Sequence, residues 1–406
     1  MQLSFSTYYT LICAALVLLV GKYLVRRIGF LRDFNIPEPV AGGLLAAAVI
    51  FTIHQFTGYS FVFSSELQTG FMLLFFASIG LSANFAKLRE GGAGLILFLV
   101  IIALFILVQN AVGIGLATAM GLDPLIGLIA GSITLVGGHG TAGAWGVVLE
   151  NEHGVQGAVT LGIACATFGL VIGGLIGGPL AKGLITRYRL TNPAALAVND
   201  AMAPLSNDAN FENPQQVRLI TTEAAIETLA LFAACLGFAE FMTAFSKGTF
   251  FQLPTFVWAL GGGVVLRNTL NYLFNFQVFD RAIDLFGNVG LSVYLAIALL
   301  SLKLWELSGL AAPLMVILLA QTLAMAMFAC FVTFRLMGKD YDAAVLAAGH
   351  CGFGMGATPT AIANMQAITN QYGPSHKSFL IVPMVGAFFI DIVNAAMIQL
   401  FIKLLP

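Results

Sequence analysis

The chain has 406 residues, of which 59% are hydrophobic and 9% charged, with a mean hydropathy of +0.93 and a formal net charge of −1. Soluble domains carry about 25% charged residues, so this composition excludes a soluble fold, and the charge balance excludes a nucleic-acid-binding surface. The five cysteines are odd in number, and they form neither a disulfide framework nor a metal-ligand spacing. Runs of roughly 20 apolar residues recur from end to end, which predicts an all-α polytopic membrane protein.

In chain order, spans are expected at about 7–26, 36–58, 67–86, 93–120, 156–181, 218–242, 254–273, 285–304, 309–337 and 379–403. No charge precedes Lys22, so the first segment lacks the basic start of a cleaved signal peptide and reads as a retained span. Pro37-Glu38-Pro39 marks the entrance of the second span. Between the fourth and fifth spans, residues 123–150 centre on a glycine-rich run from Gly131 to Thr141. That segment is too short to cross twice and too glycine-rich to cross once as a clean helix. From Thr186 to Gln216 the chain turns polar, with Pro193, Pro204 and Pro214, and reads as a linker over 186–217.

A second glycine run lies in 341–370, with Gly349, Gly352, Gly354 and Gly356 between two apolar segments. Each glycine in a helix interior costs about 1 kcal/mol relative to alanine. A helix from Tyr341 is therefore expected to unwind at these glycines. A new one is expected at Thr358, with Thr358 as N-cap and Pro359 at the first helical position. Irregular backbone at bilayer depth is tolerated only where it lines a protein-enclosed or watery cavity, so both runs predict re-entrant hairpins at a binding site.

The halves are related by a shift of 217 residues without a gap. Pro37 falls on Pro254, Met120-Gly121 and Asp123 on Met337-Gly338 and Asp340, Gly137 and Thr141 on Gly354 and Thr358, and Gly169 on Gly386. Matches at Pro, Asp, Gly and Thr are harder to obtain by chance than apolar ones. With the N-terminus outside and each hairpin returning to its side of entry, fifteen of the eighteen basic residues lie inside, leaving Lys247, Lys303 and Lys403 outside. The positive-inside rule favours this arrangement over one in which the first hairpin crosses. The layout is then ten transmembrane helices plus two hairpins in an inverted 5+5 repeat. Residues 1–185 and 218–406 are the repeats, and both termini lie outside.

Inverted repeats with broken helices near the midplane are an architecture of secondary transporters. The second half-helices, starting near Thr141 and Thr358, offer free backbone N–H groups that suit carboxylates. No Lys or Arg falls mid-span, so an anion would be held by backbone N–H groups, hydroxyls and His139 or His350. The expected substrate set is Gly138, His139, Gly140 and Thr141 with Gly356, Ala357, Thr358 and Thr360. Carbonyls of the half-helix C-termini, including Gly137, Cys351 and Gly354, join Ser132, Thr134 and Asn394 as candidate ligands of Na⁺. Asp391, in a helix otherwise apolar for two turns either way, reads as a partner of a coupling cation or a substrate ammonium, with hydrogen-bonded packing as the alternative. Glu227 sits away from the hairpins, where a structural role is as good a reading. The Cys351 thiol reads as a small packing group, and the Gly169, Gly173, Gly177 stripe as close helix packing.

The loops at 131–141 and 347–365, with Ile36 to Gly43 and Val382 to Asn394, resemble the signature segments of the bacterial sodium/glutamate symporters. The resemblance covers nearly the whole chain except the linker. It implies an inner-membrane carrier coupling L-glutamate uptake to Na⁺, without catalysis or a cofactor beyond the coupling ion. It also implies a homodimer, embedded in membrane lipid, in which a hairpin-bearing domain moves against a scaffold. Rival readings are a Na⁺-coupled dicarboxylate or citrate symporter and a Na⁺/H⁺ antiporter. A channel would need a ring of identical loops, and a membrane hydrolase a nucleophile with its base.

Overall fold

A computed structural model of the chain describes residues 2–34, 36–85, 92–191, 221–249, 252–276, 278–302 and 310–405. Most of the expected linker, from residue 192 on, lies outside the described residues. So does Lys303, with the other basic residues Lys87, Arg89 and Arg218.

The first half comprises α1 (Thr7–Arg27), α2 (Glu38–Thr57), α3 (Ser65–Ser82), α4 (Gly92–Ala119), α5 (Pro124–Ile133), α6 (Gly138–His153) and α7 (Ala158–Tyr188). The second half comprises α8 (Thr222–Phe245), α9 (Thr255–Phe274), α10 (Asp280–Leu300), α11 (Ala311–Leu336), α12 (Tyr341–Gly354), α13 (Thr358–Tyr372), α14 (His376–Met384) and α15 (Ile390–Leu404). One departure from an all-helical chain is a parallel strand pair, β1 (Gln2–Ser4) with β2 (Ser60–Val62). It ties the start of α1 to the end of α2, so those two helix ends share one face of the molecule.

Among the described residues, seven helices are long and apolar enough to cross a membrane: α1, α2, α4, α7, α8, α10 and α11. The other three expected spans are helical but fall short of that measure. The eighteen residues of α3 open on Ser65-Glu66-Leu67-Gln68, and α9 carries Arg267 and Asn268. The last is divided into α14 and α15 by Pro383 and a π turn at Val385–Phe389. In α9 the polar side chains have packing duties. Asn268 donates to Ala83 O at 2.8 Å and accepts from Phe85 N–H at 2.9 Å, closing the end of α3.

Helix bounds follow the 217-residue shift. Moving α2 by that amount gives the bounds of α9 at both ends. Both helices start from an extended proline, Pro37 at φ −60°, ψ 141° and Pro254 at φ −57°, ψ 147°. The proline at each start lacks only an N–H that would find no partner in a first turn. The pairs α1 and α8, α3 and α10, α4 and α11, and α7 and α14–α15 correspond to within a few residues.

Packing sorts the helices into two bundles that the chain visits alternately. α1, α2 and α3 pack with α8, α9 and α10, while α4 to α7 pack with α11 to α15. The bundles touch where α10 meets α6, α3 meets the π turn before α15, and α9 meets α15. Among the described residues, the buried polar side chains other than Thr10, Ser78, Thr228, Ser246 and Arg267 all belong to the second bundle. Burying a polar group costs free energy unless it is hydrogen-bonded, so this segregation marks where the chemistry is.

Candidate functional site

The second bundle contains two helix breaks. In the first half, Gly131 leaves helical geometry at φ −105°, ψ −134°, Val136-Gly137 form a turn, and α6 restarts at Gly138 with φ +64°. In the second half, the expected unwinding from Gly349 does not occur. α12 stays helical through Gly349, Gly352 and Gly354, and the break is confined to 355–357. Those glycines serve close approach instead. A Cβ on Gly352 would stand 2.4 Å from Ala361 Cα, and one on Gly349 would stand 2.8 Å from Met365 Sδ, so they let α13 fold back against α12. Thr358 is not the N-cap: Ala357 is, in extended geometry, which moves Pro359 to the second helical position. The Thr358 hydroxyl is used elsewhere, donating to Gly386 O at 2.6 Å within the π turn.

The two tips meet. A Cβ on Gly138 would lie 3.6 Å from Gly356 O, bringing the first residue of α6 against the second break. The second tip is seated on the glycine face of α7. Cβ atoms would stand 2.3 Å from Met355 O on Gly169, and 2.2 Å from Asn364 Nδ2 on Gly177. Asn364 in turn donates to Gly173 O at 2.8 Å. The first tip faces the other bundle, where Tyr294 of α10 donates to Gly140 O at 3.2 Å and a Cβ on Gly140 would meet Phe75 Cε1 at 2.7 Å.

The remaining expected residues fall into two groups. Around the tips, His139 is buried with Nε2 at 3.0 Å from Thr167 Oγ, and Thr141 lies over Gly137. The Thr167 hydroxyl gives its proton to Ile163 O, so His139 Nε2 is the donor in that pair. Thr360 is buried, and its hydroxyl lacks a partner among the described residues. The second group follows the free ends of the first half-helices. Thr134 donates to Ile129 O, and Ser132 O accepts both Gly137 N–H and Asn394 Nδ2, the latter at 2.9 Å. Gly354 O accepts from Gln109 Nε2 at 3.1 Å. Cys351 O lies against Gly173 on α7, and the Cys351 side chain is buried, as packing requires. Asp391 is half-buried, one turn before Asn394 on α15, and has no hydrogen bond or ion pair among the described residues.

His350 has different surroundings from His139. Its Nδ1 stands 2.8 Å from Thr333 Oγ, and the rings of Phe98, Phe105, Phe328 and Phe353 wall it in at 5.3–5.9 Å. It packs α12 against α4 and α11. Sequence reasoning missed Gln109, Asn110 and Gln321, all buried in the second bundle. The signal was present, since each is an amide inside a long apolar helix, where polar residues are rare.

Two cavities lie elsewhere. A 370 Å³ pocket between α1 and α2 is lined by apolar side chains of the first bundle. A 310 Å³ cleft at the β1–β2 end separates α3 and α10 from α6 and α7, and Glu150, Gln68 and Thr160 line it.

These features define a multi-pass helical membrane protein whose buried polar side chains lie mostly in the bundle that holds the two helix breaks. The chain matches the sodium/glutamate symporter family over residues 3–374, and it belongs to that family. It is 54% identical over 400 residues to a sodium/glutamate symporter of Haemophilus influenzae. It is 52% identical over 398 residues to those of Escherichia coli and Shigella flexneri. In each case 98% of both chains is covered.

Proposed function

We propose that this protein carries glutamate into the cell with Na⁺, by alternating access across the bacterial inner membrane. The observation that carries this reading is the meeting of the Gly138 and Gly356 tips inside the polar bundle. Each tip carries the start of a helix, α6 or α13, and helix N-termini attract carboxylates. Glutamate has two carboxylates, and the family's shared name supplies substrate and ion. Gly138 to Thr141, Gly356 to Thr358 and Thr360 are the groups assigned to the substrate. Asp391, Asn394, Ser132, Thr134 and the carbonyls of Gly137, Cys351 and Gly354 are assigned to the ion.

The layout assigned to the chain is ten spans and two re-entrant hairpins, with repeats over 1–185 and 218–406 and the linker and basic loops inside. The shared helix bounds and the paired Pro37 and Pro254 support the repeat. The strand pair supports a common side for the N-terminus and the end of α2. The second bundle, with both hairpins, is the moving part, and the first is the scaffold through which two copies of the chain associate. The cleft at the β1–β2 end is then the outer approach to the seam between them.

Radiolabelled glutamate uptake into proteoliposomes tests this reading. An imposed Na⁺ gradient is expected to drive accumulation, and a pH gradient alone is not. Uptake that follows only the pH gradient would replace Na⁺ with H⁺. Release of labelled product in place of unchanged glutamate would end the carrier reading.

A further inference from the structure

Three buried amides of the second bundle share one arrangement. Gln109 of α4 donates Nε2 to Gly354 O at 3.1 Å, Gln321 of α11 donates Nε2 to Gln109 O at 2.7 Å, and Asn394 of α15 donates Nδ2 to Ser132 O at 2.9 Å. A carbonyl can only accept, so each amide is fixed with its nitrogen on the backbone and its oxygen left over. Among the described residues, Gln109 Oε1, Gln321 Oε1 and Asn394 Oδ1 have no partner, and neither does Ser132 Oγ. All four residues are at most 1% exposed. Each unmade bond of this kind costs about 1–3 kcal/mol, so four on side chains that hold the backbone at or beside the two helix breaks point to something that completes them.

The chemistry of the set narrows what that is. These are neutral oxygens, and among the described residues no group of three His, Cys, Asp or Glu side chains gathers to hold a metal ion. A divalent ion is ordinarily held with carboxylates, whereas amide and hydroxyl oxygens suit a singly charged hard cation whose hydration shell they replace. Asn110 is the exception that sets the boundary. It accepts from Ser132 N–H at 2.9 Å, and its unpartnered atom is the donor Nδ2, which suits an anion.

We propose that Gln109 and Gln321, with Asn394 and Ser132, form a Na⁺ site that bridges the two helix breaks. The inference rests on the Na⁺-coupled reading and adds residues to it. Gln109 reaches from the first half to the second break, and Asn394 reaches from the second half to the first break. An ion on their free oxygens draws the two breaks together. Binding it first assembles the tips for the substrate, which is the coupling a symporter needs.

The test uses the purified full-length protein and its Gln109→Met, Gln321→Met and Gln321→Glu variants. Thermal unfolding is followed in NaCl against KCl without glutamate, and uptake is followed against Na⁺ concentration. The wild type is expected to be stabilised by NaCl over KCl. Both methionine variants are expected to lose that difference and to need about tenfold more Na⁺ for half-maximal uptake, equivalent to about 1.4 kcal/mol. Their glutamate affinity at saturating Na⁺ is expected to stay within about threefold of the wild type, under half of that energy. Gln321→Glu keeps an oxygen and is expected to retain the NaCl stabilisation. Folded variants with an unchanged Na⁺ response would overturn the site and leave water as the occupant. A loss of glutamate affinity at every Na⁺ concentration would overturn it in favour of a substrate subsite. A wild type indifferent to Na⁺ would instead remove the coupled reading beneath it.

Discussion

The two bundles are made from similarly apolar helices yet behave as different materials. In the first, α1, α2, α3, α8, α9 and α10 each run unbroken, and Phe232 of α8 packs on Phe286 of α10. In the second, α5, α11 and the α14–α15 pair carry π turns, and two backbone breaks interrupt what would be spans. The freed backbone groups are taken by side chains: Ser132 N–H by Asn110, Ser132 O by Asn394, Gly354 O by Gln109 and Gly386 O by Thr358. A membrane protein can afford irregular backbone only where protein replaces water as the partner, and the second bundle meets that condition residue by residue.

That contrast is open to direct attack. Asp391→Asn, in the second bundle, is expected to cut the initial rate of Na⁺-driven uptake about 100-fold, equivalent to about 2.7 kcal/mol. Glu227→Gln, in the first, is expected to leave the rate within about twofold, or 0.4 kcal/mol. Equal losses would erase the functional division. Gly169→Ala puts a methyl 2.3 Å from Met355 O, so it is expected to destabilise the purified protein by about 1–3 kcal/mol and slow uptake. Gly237→Ala, on α8 with open space around it, is expected to be neutral or to stabilise by up to about 1 kcal/mol, read as a melting temperature in detergent. Thr358→Val keeps the shape and removes the bond to Gly386 O. A loss of about 1–1.5 kcal/mol in glutamate binding, near tenfold in affinity, is expected by equilibrium titration, with the Na⁺ response retained.

Much of the helical framework was legible because bilayer thickness and the cost of burying charge leave few choices. The 217-residue shift, read from Pro, Gly, Asp and Thr, reappears in the bounds of α2 and α9. The break points were less legible. Gly349 and Gly352 look like unwinding signals, but a glycine in sequence does not say whether it yields a turn or a close contact. The helix that packs on it decides that, here α13. Thr358 ahead of Pro359 looks like a cap, but its hydroxyl donates to Gly386 O in the π turn instead. The amides Gln109, Asn110 and Gln321 carry no charge to mark them in the sequence, though burial makes a neutral amide demanding of a partner too. The resemblance implies a hairpin-bearing domain and a scaffold, but which helices make up each bundle was not legible, because that depends on which helices touch.

The opposed insertion of the two hairpins is tested most directly by sidedness of labelling. Single cysteines at Glu152→Cys, near the end of α6, and Gln371→Cys, near the end of α13, occupy exposed positions and can be placed in a functional cysteine-free background. A membrane-impermeant maleimide is expected to modify the first only from outside the cell and the second only from inside. Modification of both from the same side would contradict the opposed arrangement, and with it the pocket built where the two tips meet.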